Sequence, residues 1–106
     1  MEFRETCIFT RRVMSLLSDD EYAVLQKFLC EKPDAGTVIP GTGGIRKLRW
    51  AGSGRGKRGG VRVIYYHWVP ESVLYMLSAY AKNEMPDLPR AAYQRFKGMI
   101  EQEFTR

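Results

Sequence analysis

The sequence has few of the residues on which metal and redox sites depend. It contains one histidine, His67, and two cysteines, Cys7 and Cys30, with no CxxC or HExxH spacing. This composition excludes the common zinc sites and predicts that the chain uses no metal and no other cofactor. We expect the two thiols to be reduced and buried, because each lies in an apolar stretch and small cytoplasmic domains rarely keep disulfides.

Long hydrophobic segments are also missing. No run approaches the roughly 18 apolar residues of a membrane span, and the N-terminus lacks the basic-then-apolar pattern of a secretion signal. The sequence therefore predicts a cytoplasmic protein that does not bind membranes. Its 106 residues leave room for a single domain, residues 1–106, with one modest core.

Positive charge is present in excess, and it is concentrated in one place. The net charge is +5, yet residues 41–62 alone carry seven basic residues and no acidic one. Such a segment favours a polyanionic partner, because Lys and Arg gain affinity by displacing the counterions of phosphates. Nucleic acid is favoured over a membrane surface, since these residues lie in a glycine-rich stretch and not on an amphipathic helix.

The hydrophobic pattern predicts an α+β domain of order β-α-α-β-β-β-α, with an antiparallel sheet of about four strands. A short strand over residues 2–9 precedes a helix over 10–17, and Ser18 to Glu21 form a capping box that begins a second helix. Three strands are expected over 45–50, 61–69 and 73–81, with the turn Pro70-Glu71-Ser72 between the last two. Asp87 is the expected N-cap of a final helix, whose apolar stripe packs on the sheet: Ala92, Phe96, Met99, Ile100 and Phe104.

The glycine-rich basic segment does not fit the known phosphate loops. A Walker A loop needs glycine where Ala51 stands and Ser or Thr where Arg58 stands. A dinucleotide fingerprint leads from a strand into a helix, whereas this segment leads from strand to strand. It remains a cationic loop in which Arg55, Lys57 and Arg58 can bind phosphates, or a solvated loop or nonspecific nucleic-acid arm.

The predicted hairpin brings further basic residues to this loop. If Val69 pairs with Val73, then Arg62 lies opposite Tyr80 and Lys82 lies opposite Gly60. Such a cluster could cleave RNA without a metal, with the 2′-hydroxyl of the substrate as nucleophile and arginines stabilising the charge on the phosphate. Tyr80 could stack on a base or contact the phosphate, or it could be an ordinary aromatic residue of the strand.

Three segments carry a resemblance to a known family. They are residues 41–49 (GTGGIRKLR), residues 56–66 (GKRGGVRVIYY) and residues 80–84 (YAKNE). Together with the predicted element order they resemble the RelE/ParE toxins, in particular the HigB-like branch, over nearly the whole chain.

The resemblance implies the toxin of a type II toxin-antitoxin pair, an mRNA endoribonuclease that cuts in the ribosomal A site without a metal. It implies catalytic roles for Arg62, Lys57, Arg55 and Lys82, and RNA binding by Arg58, Arg49, Lys47, Arg46 and Tyr80. The implied partners are the ribosome carrying mRNA and a cognate antitoxin with a helix-turn-helix DNA-binding region, through which operator DNA would be bound only indirectly. Some RelE toxins have an arginine where Asn83 stands, so the sequence leaves the general acid and base unassigned.

Two other functions stay open from the sequence. A ParE-like poison of DNA gyrase would use the same fold and cut nothing, and a nonenzymatic nucleic-acid-binding module would use the same basic residues for binding alone.

Overall fold

The computed structural model describes residues 1–51 and 60–104, and of residue 104 only the backbone. In chain order the elements are β1 (Glu2–Glu5), α1 (Cys7–Leu16), α2 (Asp19–Glu31), β2 (Thr37–Val38), β3 (Arg46–Trp50), β4 (Val61–Trp68), β5 (Val73–Ala81) and α3 (Arg90–Phe104). The α+β class is confirmed. None of the helices in these two ranges is long and apolar enough to cross a membrane.

One mixed sheet forms the centre of the fold, with the strand order β1-β5-β4-β3-β2. It differs from the predicted antiparallel sheet of about four strands in two ways. β1 pairs with β5 in parallel, and the two-residue strand β2 pairs with β3 where the sequence predicted a loop. The short β2 was missed because turn residues surround it on both sides.

The helices cover the two faces of this sheet. Residues of α1 and α2 share a core with alternate residues of β3, β4 and β5, including Val63 and Met76. Residues of α3 pack on the other face, against Ile64, Leu77 and Tyr80. The molecule is therefore a three-layer domain in which the sheet lies between α1 and α2 on one face and α3 on the other.

Local hydrogen bonds fix where the first two helices begin. The Thr6 side chain accepts from Phe9 N and caps α1, so β1 ends at Glu5 and the helix begins three residues earlier than predicted. The capping box of α2 is confirmed, because Ser18 Oγ accepts from Glu21 N while a Glu21 carboxylate oxygen accepts from Ser18 N.

The β4–β5 hairpin has two registers. From Val61 to Ile64 the pairing is the predicted one, with Arg62 opposite Tyr80, but a bulge between Ile64 and Tyr65 shifts it by one residue. Trp68, and not Val69, therefore pairs with Val73. The connection is a short 3₁₀ turn followed by Ser72 in the left-handed conformation (φ 53°), which is longer than the predicted three-residue turn.

Three smaller predictions are wrong. Both cysteines are free but exposed, since Cys7 is the first residue of α1 and Cys30 lies one residue from the end of α2. Met99 is 37% exposed and does not belong to the buried stripe of α3, where Tyr93 is buried instead; the side chain of Phe104 lies outside the described residues. The helix begins at Arg90, too far along for Asp87 to be its N-cap.

Candidate functional site

The candidate site lies at the end of the sheet where β3 ends and β4 begins, on the face that α3 covers. Arg49 on β3 pairs directly with Arg62 on β4, and Arg62 pairs in turn with Tyr80 on β5. Because side chains alternate along a strand, Lys47, Arg49 and Arg62 lie on the same face as Ile64 and Tyr80. We call Lys47, Arg49, Arg62 and Lys82 the cationic face.

Two arginines opposite each other on neighbouring strands form the centre of the cationic face. Arg62 is half-buried and Arg49 is exposed. Like charges in directly opposed positions cost a sheet about 0.2–1 kcal/mol. An anion bound between the two guanidinium groups would reverse that cost, since each presents several N–H donors to a phosphate.

Lys82 is held at the margin of this face by the backbone. It follows β5 directly, and its N–H donates to Gly60 O over 3.2 Å. Gly60 has a φ of +58°, and a Cβ there would lie 2.5 Å from Trp50 O, so only glycine fits where β4 begins. This confirms the predicted pairing of Lys82 with Gly60, while Lys82 itself is exposed.

Where β5 extends past the end of β1, its backbone is hydrogen-bonded by side chains instead of a strand. These side chains come from Thr6, which caps α1, from α1 itself and from the segment after β5. Thr6 Oγ1 donates to Leu77 O over 2.8 Å, and Arg12 Nε donates to Ala79 O over 3.1 Å. Glu84, which forms an ion pair with Arg12, accepts from Ala81 N over 3.0 Å. These contacts satisfy backbone groups that lack a neighbouring strand and fix the chain on both sides of Lys82.

Asp87 connects the cationic face to α3. Its Oδ1 accepts from Tyr93 OH over 2.5 Å, from Leu88 N over 2.8 Å and from Tyr80 OH over 3.3 Å, and it lies 3.0 Å from Lys47 Nζ. The sequence pattern assigned Asp87 to a helix cap and gave no signal for these contacts. Burial, followed by the Asp87 carboxylate, raises the pKa of Tyr80 to about 12, while Arg62 opposes this shift.

A cleft of about 700 Å³ borders the cationic face on the side of β2. Lys47, Arg49 and Asp87 line it together with residues of the 35–40 segment, among them Val38 and Pro40. The described part of the cleft therefore combines Lys47, Arg49 and the carboxylate of Asp87 with an apolar wall, so a phosphate could bind at the cations.

Two of the predicted RNA-binding residues occupy other places. Arg46 points to the opposite face of the sheet, where its guanidinium donates to Gly36 O over 2.7 Å and to Asp34 O over 3.1 Å. Tyr80 is 1% exposed beneath α3, so its ring has no face for a base. Arg55, Lys57 and Arg58 lie outside the described residues.

The described residues offer no ready metal site, since within 1–51 and 60–104 no three His, Cys, Asp or Glu side chains are grouped to hold an ion. In a comparison with models of known protein families, none matches the chain.

The ionised Asp87 carboxylate should stabilise the fold in a pH-dependent way. Partial burial acts to raise the pKa of Asp87, but hydrogen bonds from Tyr93 and Lys47 outweigh it and hold the pKa below its usual value. A carboxylate whose pKa is lower in the folded than in the unfolded protein stabilises the fold at pH values above the unfolded-state pKa. This stabilisation is lost as the pH falls through the folded-state pKa. We expect Asp87→Asn to be less stable than the wild type at pH 7, and the difference to shrink below about pH 4. Urea unfolding at pH 7, 4 and 2.5 measures it, and a difference that stays constant would contradict the assignment.

Proposed function

We propose that this protein is a metal-independent endoribonuclease, the toxin of a type II toxin-antitoxin pair, which cleaves mRNA on the ribosome and so arrests translation. The observation that carries the proposal is the pairing of Arg49 with Arg62 beside Lys82, at a sheet end bordered by a cleft. The resemblance of residues 41–49, 56–66 and 80–84 to the RelE/ParE toxins supports the choice of substrate.

The reaction that suits this group of cations is an internal transesterification. The 2′-oxygen of the substrate attacks the adjacent phosphorus and a new O2′–P bond forms. The P–O5′ bond breaks, which leaves a 2′,3′-cyclic phosphate and a free 5′-hydroxyl. One proton leaves the 2′-hydroxyl and one is delivered to the 5′-oxygen, so the protein must stabilise negative charge and transfer protons but need not activate a water molecule.

The residues divide into roles by their chemistry. Arg62 and Arg49 hold the non-bridging oxygens, because a guanidinium binds phosphate with two parallel N–H donors and stays charged throughout. Lys82, exposed at the margin, supplies a further cation, and a lysine among other cations can transfer a proton. Arg55 and Lys57 are assigned catalytic roles at the phosphate, and Arg58 an RNA contact, from the sequence alone.

The proposed partners follow from the same resemblance. They are the ribosome carrying mRNA in its A site and a cognate antitoxin with a helix-turn-helix region, which would link the toxin to operator DNA. The place of action would then be the cytoplasm.

The test is cleavage of a defined message by the purified protein, mapped by primer extension with and without ribosomes. A matched message carries a single 2′-deoxynucleotide at the mapped cut. We expect discrete cuts that need ribosomes, products with a free 5′-hydroxyl that a kinase labels directly, and no cut at the deoxy position. Cleavage of the deoxy message would show that water and not the 2′-hydroxyl attacks.

A message that stays intact would contradict the nuclease assignment. Gyrase-dependent DNA breaks in the same preparation would then indicate the poison, and salt-sensitive RNA retention without cleavage would indicate the binding module.

A further inference from the structure

The carboxylate of Asp87 forms an ion pair with Lys47, one of the four residues of the cationic face. Lys47 lies two residues before Arg49 on the same side of β3, and both line the cleft. Lys47 Nζ is 3.0 Å from Asp87 Oδ1, with side-chain exposures of 25% and 50% for the two residues. In the free protein, therefore, Lys47, one of the two cations that line the cleft among residues 1–51 and 60–104, is already paired with an anion.

The position of this carboxylate does not depend on Lys47. Two phenols, Tyr80 OH from β5 and Tyr93 OH from α3, also donate to Oδ1, and so does Leu88 N. Tyr80 and Tyr93 are 1% and 6% exposed, so both rings are fixed in the core beneath α3. Asp87 is thus held beside Lys47 by uncharged donors, and the ammonium group is the mobile partner, a flexible point charge with three donors of its own.

We propose that Lys47 is part of an anion site which Asp87 fills in the free protein, so that a phosphate of the bound polyanion must draw Lys47 away from this internal carboxylate. Asp87 then lowers the affinity of the cleft for phosphate and prevents tight binding of anions that lack other contacts. The identity of the polyanion as RNA rests on the proposed function, whereas the competition itself does not.

The test uses Asp87→Asn, which keeps an oxygen acceptor for Tyr80 and Tyr93 and removes only the charge. The probe is inorganic tripolyphosphate, titrated by calorimetry at several salt concentrations. We expect Asp87→Asn to bind it about fivefold more tightly than the wild type at low salt, because the partly exposed Lys47–Asp87 ion pair no longer competes. The dependence of log Kd on log salt should also steepen, because the variant brings one more uncompensated cation to the bound anion.

A double-mutant cycle separates this effect from a general change in net charge. In the Lys47→Met background the gain from Asp87→Asn should be smaller than in the wild-type background, because only direct repulsion between this carboxylate and the anion is then relieved. Glu31→Gln, which removes an exposed negative charge at the end of α2, measures the effect of net charge alone. An equal gain in both backgrounds would overturn the proposal, because Lys47 would then play no special part.

A second comparison decides the matter even if Asp87→Asn does not fold. In the otherwise wild-type protein, Lys47→Met should weaken tripolyphosphate binding no more than about twofold, and Arg49→Met should weaken it several-fold more. Equal losses would overturn the proposal. If the ribosome assay shows no cleavage, the nuclease proposal is rejected. The binding measurements still decide whether Asp87 competes with phosphate for Lys47.

Discussion

Replacing Arg62 by alanine is expected to reduce ribosome-dependent cleavage by about 10²–10³-fold, the usual effect of removing one preorganised donor from a developing negative charge. Arg62 pairs with Arg49 and Tyr80 at the centre of the cationic face and is half-buried, so its guanidinium group is less free to move than that of the exposed Arg49. Growth arrest on induction should disappear with the cleavage. The measurement is single-turnover cleavage of the defined message, together with a thermal unfolding curve of each variant.

Two further variants make the result specific. Arg11→Ala removes an exposed cation from α1, on the opposite side of the sheet, and should leave cleavage within about twofold of the wild type. Arg62→Lys keeps the charge but loses the two-pronged N–H donor, and we expect it to fall between the wild type and alanine. An Arg62→Ala protein that is folded and still cleaves would remove Arg62 from the site, and an Arg11→Ala protein equally impaired would show that only net charge matters.

The parts of this site that could be predicted from the sequence are those that depend on local pattern. β5 was predicted over its full range, and the pairing of Arg62 with Tyr80 followed from counting across the hairpin. The period of a strand likewise places Lys47 and Arg49 on the face opposite Leu48 and Trp50, as observed in β3. The face of each side chain needs only the period of a strand. The Arg62–Tyr80 pair was counted from Val69 and Val73, which do not pair, and it is right because the bulge offsets that error by one residue.

The bulge could not be predicted, because β5 is buried on both faces. Seven of its nine residues are buried and the other two are half-buried, so no alternation of polar and apolar residues marks where the register changes. The prediction was therefore right beside Arg62 and wrong by one residue at the turn. For the same reason the sequence could not show that Tyr80 is buried. It left two roles open for this residue, an ordinary aromatic of the strand or a residue that stacks on a base.

Asp87 was misassigned for a different reason. A carboxylate between two prolines, just before an apolar stripe, has the local pattern of a helix cap. Its actual contacts, Lys47 on β3 and Tyr80 on β5, are distant in the sequence and depend on how the chain after β5 crosses the sheet. Likewise Arg12 and Glu84, which fix the chain around Lys82, are joined only by the packing of α1 on β5.

Tyr65→Phe is expected to lower the free energy of unfolding by about 1–3 kcal/mol, mainly the cost of leaving the buried Gly36 N–H without a partner, with a smaller loss at the part-buried Pro33 carbonyl. Tyr65 is 0% exposed, and its hydroxyl accepts from Gly36 N over 2.9 Å and donates to Pro33 O over 2.8 Å. The phenol thereby fixes the segment between α2 and β2, which continues into the wall of the cleft at Val38 and Pro40.

Urea unfolding measures this loss, with Tyr22→Phe as the matched control. The Tyr22 hydroxyl donates to an exposed Glu5 carboxylate, which water can solvate once the phenol is gone, so we expect a loss below about 1 kcal/mol. Because Tyr65 lies on the face of the sheet opposite Arg62, the folded Tyr65→Phe protein should keep its turnover rate on bound message while its KM rises. Similar losses of stability in both variants would show that the Tyr65 hydroxyl does not stabilise this segment, and a lower kcat with unchanged KM would separate the segment from substrate binding.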